Sequence, residues 1–180
     1  MKCKDPDQEF STAEAFLVEC LAMGLLQAYG VEGPPVPVQE MIRHPLPIFE
    51  RLTLLELNLG LYDAAYRSLL DGSHLIVVDL VKPQPIQRAS MARELYVAFC
   101  HSPRATELNW PDRGQSYAYG DLFARCLLMP APWIRRAYVE GMSAQEVAVH
   151  FEVPVRMAVQ RLSEIECHML ARGETHIYEE

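Results

Sequence analysis

The sequence predicts an α+β fold: a mostly helical domain with a small antiparallel sheet beside a central helix, and a helix-turn-helix-like hairpin at the C-terminal end. Three observations predict it. Residues 85–102 carry apolar side chains at helical spacing between two prolines. Residues 72–80 include a dense aliphatic run that is typical of a buried strand. Residues 143–162 combine a helix-capping pattern, a turn and a second helical pattern.

The composition and net charge limit the type of protein that this chain can be. Half of the 180 residues are hydrophobic and 22% are charged, so the chain is long and apolar enough to fold around a core. The formal net charge of −8 opposes binding to phosphate backbones and to anionic membranes. Five cysteines lack any C-x-x-C pair, and the first ten residues lack the apolar segment of a signal peptide. We therefore expect reduced thiols in a cytoplasmic protein without membrane association.

The N-terminal helix is predicted from a capping box, Ser11 followed by Glu14, and is expected to end at Gly30. The apolar residues expected on its inward face are Ala13, Phe16, Leu17, Cys20, Leu21, Leu25 and Ala28. A proline-rich connector follows, and then a short turn or helix around residues 39–43. His44 ends it, because a residue before proline avoids the helical region.

The sheet is predicted from three segments. Residues 48–57 are rich in aliphatic side chains and fit a strand. Residues 61–70 fit either a helix or a strand, because Asp71-Gly72 also fits a hairpin turn before the next aliphatic run. Residues 74–81 have the clearest strand pattern. The expected sheet therefore has two or three antiparallel strands.

The second half of the chain is predicted to be helical. The central helix is expected to begin at Pro85 and to end before Pro103. Residues 103–115 fit a loop long enough to lie over a cleft. Helices are then expected over residues 116–128, from Pro132 to Gly141, and within the hairpin to about residue 170. This divides the chain into a main domain, residues 11–130, and a C-terminal helical subdomain, residues 131–171.

The central helix has an apolar face and a neighbouring mixed face. The residues expected in the core are Met91, Leu95, Ala98 and Phe99. The neighbouring face carries Arg93, Glu94, Val97 and His101. Positions 93–97 read R-E-L-Y-V, so a glutamate stands at the second position of this pentapeptide.

The order of segments around this pentapeptide resembles the ImmA/IrrE family of small metallopeptidase-like proteins. The resemblance rests on PPVPVQEMI at 34–42, the strand before the central helix, FARCLLMP at 123–130, and residues 143–162. It implies a zincin-like core whose central helix carries H-E-x-x-H. In that motif two histidines one turn apart bind zinc, and the glutamate activates the metal-bound water. The family's third ligand is a glutamate four residues before the phenylalanine of the FARCLLMP-like phrase.

This sequence departs from the family at the ligand positions. Arg93 and Val97 stand where the histidines would be, and Tyr119 stands in place of the third ligand. Glu94 alone remains, as a remnant of the catalytic residues. Because a cation, an aliphatic side chain and a neutral phenol are poor zinc ligands, we expect no zinc and no other cofactor. The alternative is a relocated metal site that uses Glu94, His101 and Asp121.

Arg93 has two interpretations. Its guanidinium could take the place of the metal and donate a hydrogen bond to Tyr119 or Asp121 of the following helix. Alternatively, its long aliphatic stem could carry the charge into solvent along the helix surface.

Residues 143–162 also fit a DNA-binding helix-turn-helix, in which Arg156, Gln160 and Arg161 would contact bases or phosphates. Glu152 occupies the turn position usually given to glycine. From Ala131 onward, five arginines are outnumbered by eight acidic residues. This balance favours a hairpin packed on the central helix over binding to a duplex.

The sequence therefore predicts a catalytically inactive metallopeptidase-like protein that binds a protein or peptide partner as a regulator. One alternative is a DNA-linked transcriptional regulator that acts through residues 143–162. The other is a metallopeptidase with relocated ligands. The identity of the partner and the oligomeric state are left open.

Overall fold

The computed structural model describes residues 12–111 and 117–171, and it confirms the α+β fold class. The elements follow in the order α1 (Thr12–Ala28), α2 (Val38–Arg43), a 3₁₀ turn (Pro47–Phe49), β1 (Leu52–Leu57), β2 (Ala64–Ser68), β3 (His74–Asp79), α3 (Gln84–Cys100), α4 (Pro103–Glu107), α5 (Tyr117–Leu128), α6 (Ala131–Val139), α7 (Ala144–Phe151) and α8 (Val155–Ala171). Within these two ranges, every helix falls short of the length and apolarity needed to cross a membrane.

The three strands form a mixed sheet in the order β1-β3-β2. Strands β2 and β3 are an antiparallel hairpin in which Tyr66 lies opposite Ile76, so residues 61–70 contribute a strand and not a helix. Strand β1 runs parallel to β3, with Leu54 opposite Ile76. The prediction of a purely antiparallel sheet was therefore wrong for β1. After β1 the chain crosses to the opposite edge of the sheet, where it forms β2. It then returns to form β3 between β1 and β2.

The inner face of the sheet packs against the core. Leu52, Tyr66, Ile76 and Val78 are buried there. Because side chains alternate along a strand, Leu55 and Leu57 of β1 point to the opposite face and are exposed. The β1 side of this outer face is therefore left exposed by the described residues.

Helix α3 is the central element of the core. Its four predicted core residues, Met91, Leu95, Ala98 and Phe99, are buried, as the sequence predicted. Arg88, also buried, fixes the N-terminal half of the helix to its surroundings. Its Nη2 donates to the carbonyl of Val36 at 2.8 Å, and its Nε donates to the carbonyl of Glu152 at 3.1 Å. The turn between α7 and α8 is thereby bonded directly to α3.

Part of the predicted loop over the cleft is helical. Ser102 accepts the backbone N–H of Ala105 at 3.3 Å and so caps α4. Trp110 packs edge-to-face on Phe99, with ring centroids 5.0 Å apart, and donates to the hydroxyl of Tyr96 at 3.1 Å. These contacts hold the segment against α3, whereas residues 112–116 lie outside the described residues.

Helix α1 exists as predicted, but of the residues expected on its inward face only Leu25 is buried. The buried side chains are Val18, Ala22, Leu25 and Leu26, whereas Phe16 is 64% exposed and Leu17 is 41% exposed. The helix is apolar on most sides, so its spacing did not single out one face. The predicted capping residue, Ser11, lies outside the described residues.

The C-terminal hairpin follows the predicted pattern closely. Ser143 and Glu146 form the capping box of α7. Glu152, at the turn position usually given to glycine, adopts a left-handed conformation with φ of 52°. Because buried residues from α1 to α8 form one continuous core, the hairpin packs on the rest of the protein. The division at residues 130 and 131 stays a prediction.

Candidate functional site

A cavity of about 410 Å³ lies between the edge strand β2, helix α3 and the start of α5. Strand β2 and the residues before it form one wall, from Tyr62 to Arg67. Helix α3 contributes Arg93, Glu94 and Val97, and helix α5 contributes Tyr117 and Gly120. The cavity thus contains three of the pentapeptide residues that the sequence singled out.

Glu94 is buried and joins α3 to the edge strand. Its Oε2 accepts the backbone N–H of Tyr66 at 2.9 Å, and its Oε1 lies 3.3 Å from Nε of Arg93. The backbone of Tyr66 faces the open edge of the sheet, because Tyr66 and Ile76 form a non-hydrogen-bonded pair in the hairpin. The carboxylate therefore satisfies a donor that the sheet itself leaves unpaired.

Arg93 is held between carboxylates and an aromatic ring. Besides Glu94, it faces Asp121, with Nη1 and Oδ1 3.6 Å apart, and its guanidinium carbon lies 5.8 Å from the ring centre of Tyr117. The side chain is 23% exposed. Arg93 thus reaches toward α5 and forms an ion pair with Asp121, one of the two partners considered from the sequence, whereas a hydrogen bond that replaces the metal stays a prediction.

Helices α3 and α5 pack closely at Arg93 and Gly120. A Cβ atom added to Gly120 would lie 2.7 Å from Cγ of Arg93, so only glycine fits there without movement. Tyr117, Gly120 and Asp121 share this face of α5, whereas Tyr119 is half-buried and packs against the core. A hydrogen bond between Arg93 and Tyr119 stays a prediction.

His101 lies at the end of α3, where it contacts Tyr66, a residue that the sequence did not single out. The ring of Tyr66 stacks on His101, with centroids 5.1 Å apart, and on His74 at 5.8 Å. The hydroxyl of Tyr66 is bonded to Nδ1 of His74 at 2.6 Å. Burial raises the pKa of Tyr66 above its ordinary value. The stacking of Tyr66 with His74 and His101 depends on the register between β2 and β3, which a local sequence pattern does not specify.

The proposed DNA-contacting residues do not share one exposed surface. Arg161 is buried and donates to the carbonyl of Met129 at 3.1 Å and to Glu164 at 2.8 Å. Gln160 lies beside Arg125, and with its amide oxygen turned inward it accepts a hydrogen bond from Arg125 Nη1 at 3.2 Å. Of the three proposed DNA-contacting residues, only Arg156 is exposed. The expectation that Arg161 contacts a base or phosphate is therefore wrong, because its charge is used inside the protein.

A family model described as the IrrE N-terminal-like domain matches residues 51–163, which is more than half of the chain. The chain belongs to this peptidase family. The match runs from the start of the sheet into α8, so it includes every wall of the cavity. The ImmA/IrrE resemblance noted in the sequence is thereby confirmed. A comparison with curated proteins gave no match.

The IrrE N-terminal-like family is normally zinc-dependent, so the fit of zinc to this cavity can be tested on the residues present. Within residues 12–111 and 117–171, no three side chains of His, Cys, Asp or Glu are grouped so as to hold a metal ion. Arg93 places a guanidinium against the one carboxylate of the pentapeptide, and Val97 offers no donor atom. The residues described here do not fit a catalytic zinc ion, which needs three protein ligands and an open position.

Proposed function

We propose that this chain is a catalytically inactive member of the IrrE N-terminal-like family, which binds a protein or peptide in the cavity beside Glu94 and regulates it by binding. The observation that carries the proposal is the position of Arg93. Its Nε lies 3.3 Å from the carboxylate of Glu94, the residue that corresponds to the catalytic base.

Electrostatics argue against a metal at this position. Two like unit charges 4 Å apart repel each other by about 4 kcal/mol at an effective dielectric constant of about 20, and a dication doubles that cost. A zinc ion near Glu94 would meet this repulsion from Arg93. Glu94 is also already engaged, because both of its oxygens face donors within the chain. These contacts support a structural role for Glu94 in place of proton transfer.

The lining of the cavity supports recognition of a polypeptide. Tyr62, Tyr66 and Tyr117 lie around it together with Arg67 and Arg93. Tyrosine and arginine are enriched where proteins bind one another, because each combines a large contact surface with hydrogen-bonding groups. A 410 Å³ cavity is large enough to take in side chains of a partner.

Metal analysis and a protease assay test the loss of catalysis. We expect the purified chain to contain no stoichiometric zinc and to leave an unstructured protein such as casein intact when zinc is added. The variant Arg93→His with Val97→His and Tyr119→Glu should bind zinc, since it restores the family's ligands. Stoichiometric zinc or cleavage in the natural chain, lost in Glu94→Gln, would overturn the proposal.

Site-specific crosslinking tests the binding role. A photoreactive amino acid at Tyr62, which is exposed and lines the cavity, should crosslink a specific protein, with candidates drawn from the products of neighbouring genes. The matched control places the same group at Val149, an exposed position on α7. Equal crosslinking at both positions, or none at Tyr62, would show that the cavity does not bind a partner.

A further inference from the structure

Arg67 is an exposed cation at the edge of the cavity beside Glu94. Its Nη1 donates to the carbonyl of Tyr66 at 3.0 Å. Because Tyr66 and Ile76 form a non-hydrogen-bonded pair, that carbonyl faces the open edge of the sheet. The guanidinium of Arg67 is therefore held along the edge of β2, where the strand forms a wall of the cavity.

The positive charge of Arg67 is not balanced by a carboxylate of the described residues. Within residues 12–111 and 117–171, the polar contact of this side chain is its hydrogen bond to the Tyr66 carbonyl, and no Asp or Glu pairs with it. A guanidinium has five N–H donors, of which this bond uses one. The other donors are available to a ligand in the cavity.

The other two charged side chains among the described lining residues balance each other. Arg93 and Glu94 form an ion pair at 3.3 Å, and the second oxygen of Glu94 accepts the backbone N–H of Tyr66. Asp121 also pairs with Arg93, but it lines the neighbouring cavity between α3, α5 and α8. Its side chain is 53% exposed, so water and salt screen its charge. The cavity beside Glu94 therefore carries an excess positive charge at Arg67.

Two exposed tyrosines add hydrogen-bond donors to this charge. Tyr62 is 68% exposed and Tyr117 is 76% exposed, and both line the cavity. In the described part of the chain, neither hydroxyl is engaged in a hydrogen bond. A phenol can donate to a carboxylate, and a planar guanidinium can donate to both oxygens of one. Arg67 and these tyrosines are thus a set of donors suited to a carboxylate.

We propose that the cavity binds an Asp or Glu side chain of a polypeptide, and that the carboxylate of this side chain pairs with Arg67. The inference rests on the proposed function, because it specifies what the bound protein or peptide contains. One excess positive charge at the cavity matches the single negative charge of a carboxylate. A polyanion such as a nucleic acid would instead be repelled by the net charge of −8 of the whole chain.

Peptide selection on the purified full chain tests this inference. A random peptide library displayed on phage should yield bound peptides that are enriched in Asp and Glu. The tightest binder is synthesised with blocked ends, so that no terminal carboxylate remains. Fluorescence anisotropy then compares it with an amide version, in which Gln or Asn replaces each acidic residue. We expect the amide version to have a dissociation constant about tenfold higher, because it loses one hydrogen-bonded ion pair.

The variant Arg67→Gln assigns this difference to one side chain. It should bind the acidic peptide and the amide version with affinities within about twofold of each other. The matched control is Arg136→Gln, which removes the same charge from an exposed arginine on α6 and should keep the full difference. Arg67→Glu should prefer a version of the peptide in which lysine replaces the acidic residues. Circular dichroism checks that each variant is folded.

The outcomes separate this inference from the proposed function. Selected peptides without acidic enrichment, or an amide version that binds as tightly as the acidic peptide, would overturn the inference alone, because a polypeptide would still bind. The same holds if the acidic preference persists in Arg67→Gln or is lost equally in Arg136→Gln. A library from which no peptide binds would overturn the inference, and the absence of crosslinking at Tyr62 would overturn the proposed function with it.

Discussion

Glu94 of α3 accepts the backbone N–H of Tyr66, a donor on the open edge of the sheet, at 2.9 Å. The carbonyl of Tyr66 is also satisfied, by Nη1 of Arg67 at 3.0 Å. Both backbone groups at the middle of this edge are therefore bonded within the chain. A partner could not extend the sheet there without displacing them, so the recognition that we propose would rely on side chains.

Replacing Glu94 should separate its structural role from its charge. Glu94→Ala leaves the buried N–H of Tyr66 without an acceptor, and we expect it to lower the free energy of unfolding by about 1 to 3 kcal/mol. Glu94→Gln keeps an amide oxygen that can accept the same bond, so it should cost less. Urea denaturation measures both values. Equal losses in the two variants would show that the charge, and not the acceptor, matters.

Leu95 should be among the most sensitive core positions. It is fully buried on the face of α3 that packs into the core, and Leu95→Ala should cost about 2 to 5 kcal/mol. Val97 is only half-buried beside the cavity, so Val97→Ala is the matched truncation and should cost less. Chemical denaturation compares the two. Equal losses would mean that the faces of α3 are wrongly assigned.

The substitution Gly120→Ala should destabilise the natural chain but stabilise a chain that lacks the Arg93 side chain. In the natural chain, Gly120→Ala brings a Cβ to 2.7 Å from Cγ of Arg93 and should destabilise the fold by about 1 to 3 kcal/mol. In an Arg93→Ala background the clash disappears, and alanine should stabilise α5 by up to about 1 kcal/mol. A double-mutant cycle by urea denaturation measures this coupling. Additive effects would contradict the close packing of α3 on α5.

Cys126 should make stability fall at alkaline pH. Burial raises the pKa of its thiol from an ordinary value of 9.0 to about 11, so the folded protein holds this proton more tightly than the unfolded chain does. The thiol's contribution to the free energy of unfolding is complete below pH 9.0 and is lost as the pH rises toward 11. The total loss is about 2 to 3 kcal/mol.

The variant Cys126→Ala isolates this contribution. Burial also raises the pKa of Tyr29 and of Tyr66, and both tyrosines remain in the variant. The difference in slope between the natural chain and Cys126→Ala, measured by denaturation from pH 8 to 11, therefore belongs to the thiol. Identical slopes would show that the thiol does not titrate differently on folding.

Local patterns in the sequence were sufficient for several elements. The apolar face of α3 and the capping box at Ser143 and Glu146 depend on residues within one or two helical turns, and both were predicted correctly. The ion pair of Arg93 with Asp121 was one of several possibilities that the sequence left open, beside a contact with Tyr119 or extension into solvent.

Long-range contacts could not be predicted in the same way. The partner of Glu94 lies 28 residues away and is available only because β2 is at the edge of the sheet. That position depends on the strand order β1-β3-β2, whereas the sequence suggested simple antiparallel neighbours. Arg161 was considered as a DNA contact, but it is buried because it pairs with Glu164, three residues further on, and with Glu19, 142 residues earlier in the chain.

The ion pair between Arg161 and Glu19 can form only late in protein synthesis. The two residues are 142 positions apart and lie on the last and first described helices. Glu19 leaves the ribosome long before Arg161 is made, and contacts of such separation form late because closing the chain costs entropy. Burial of Arg161 without its acceptors would itself cost several kcal/mol. This contact of α1 can therefore form only after α8 has emerged from the ribosome.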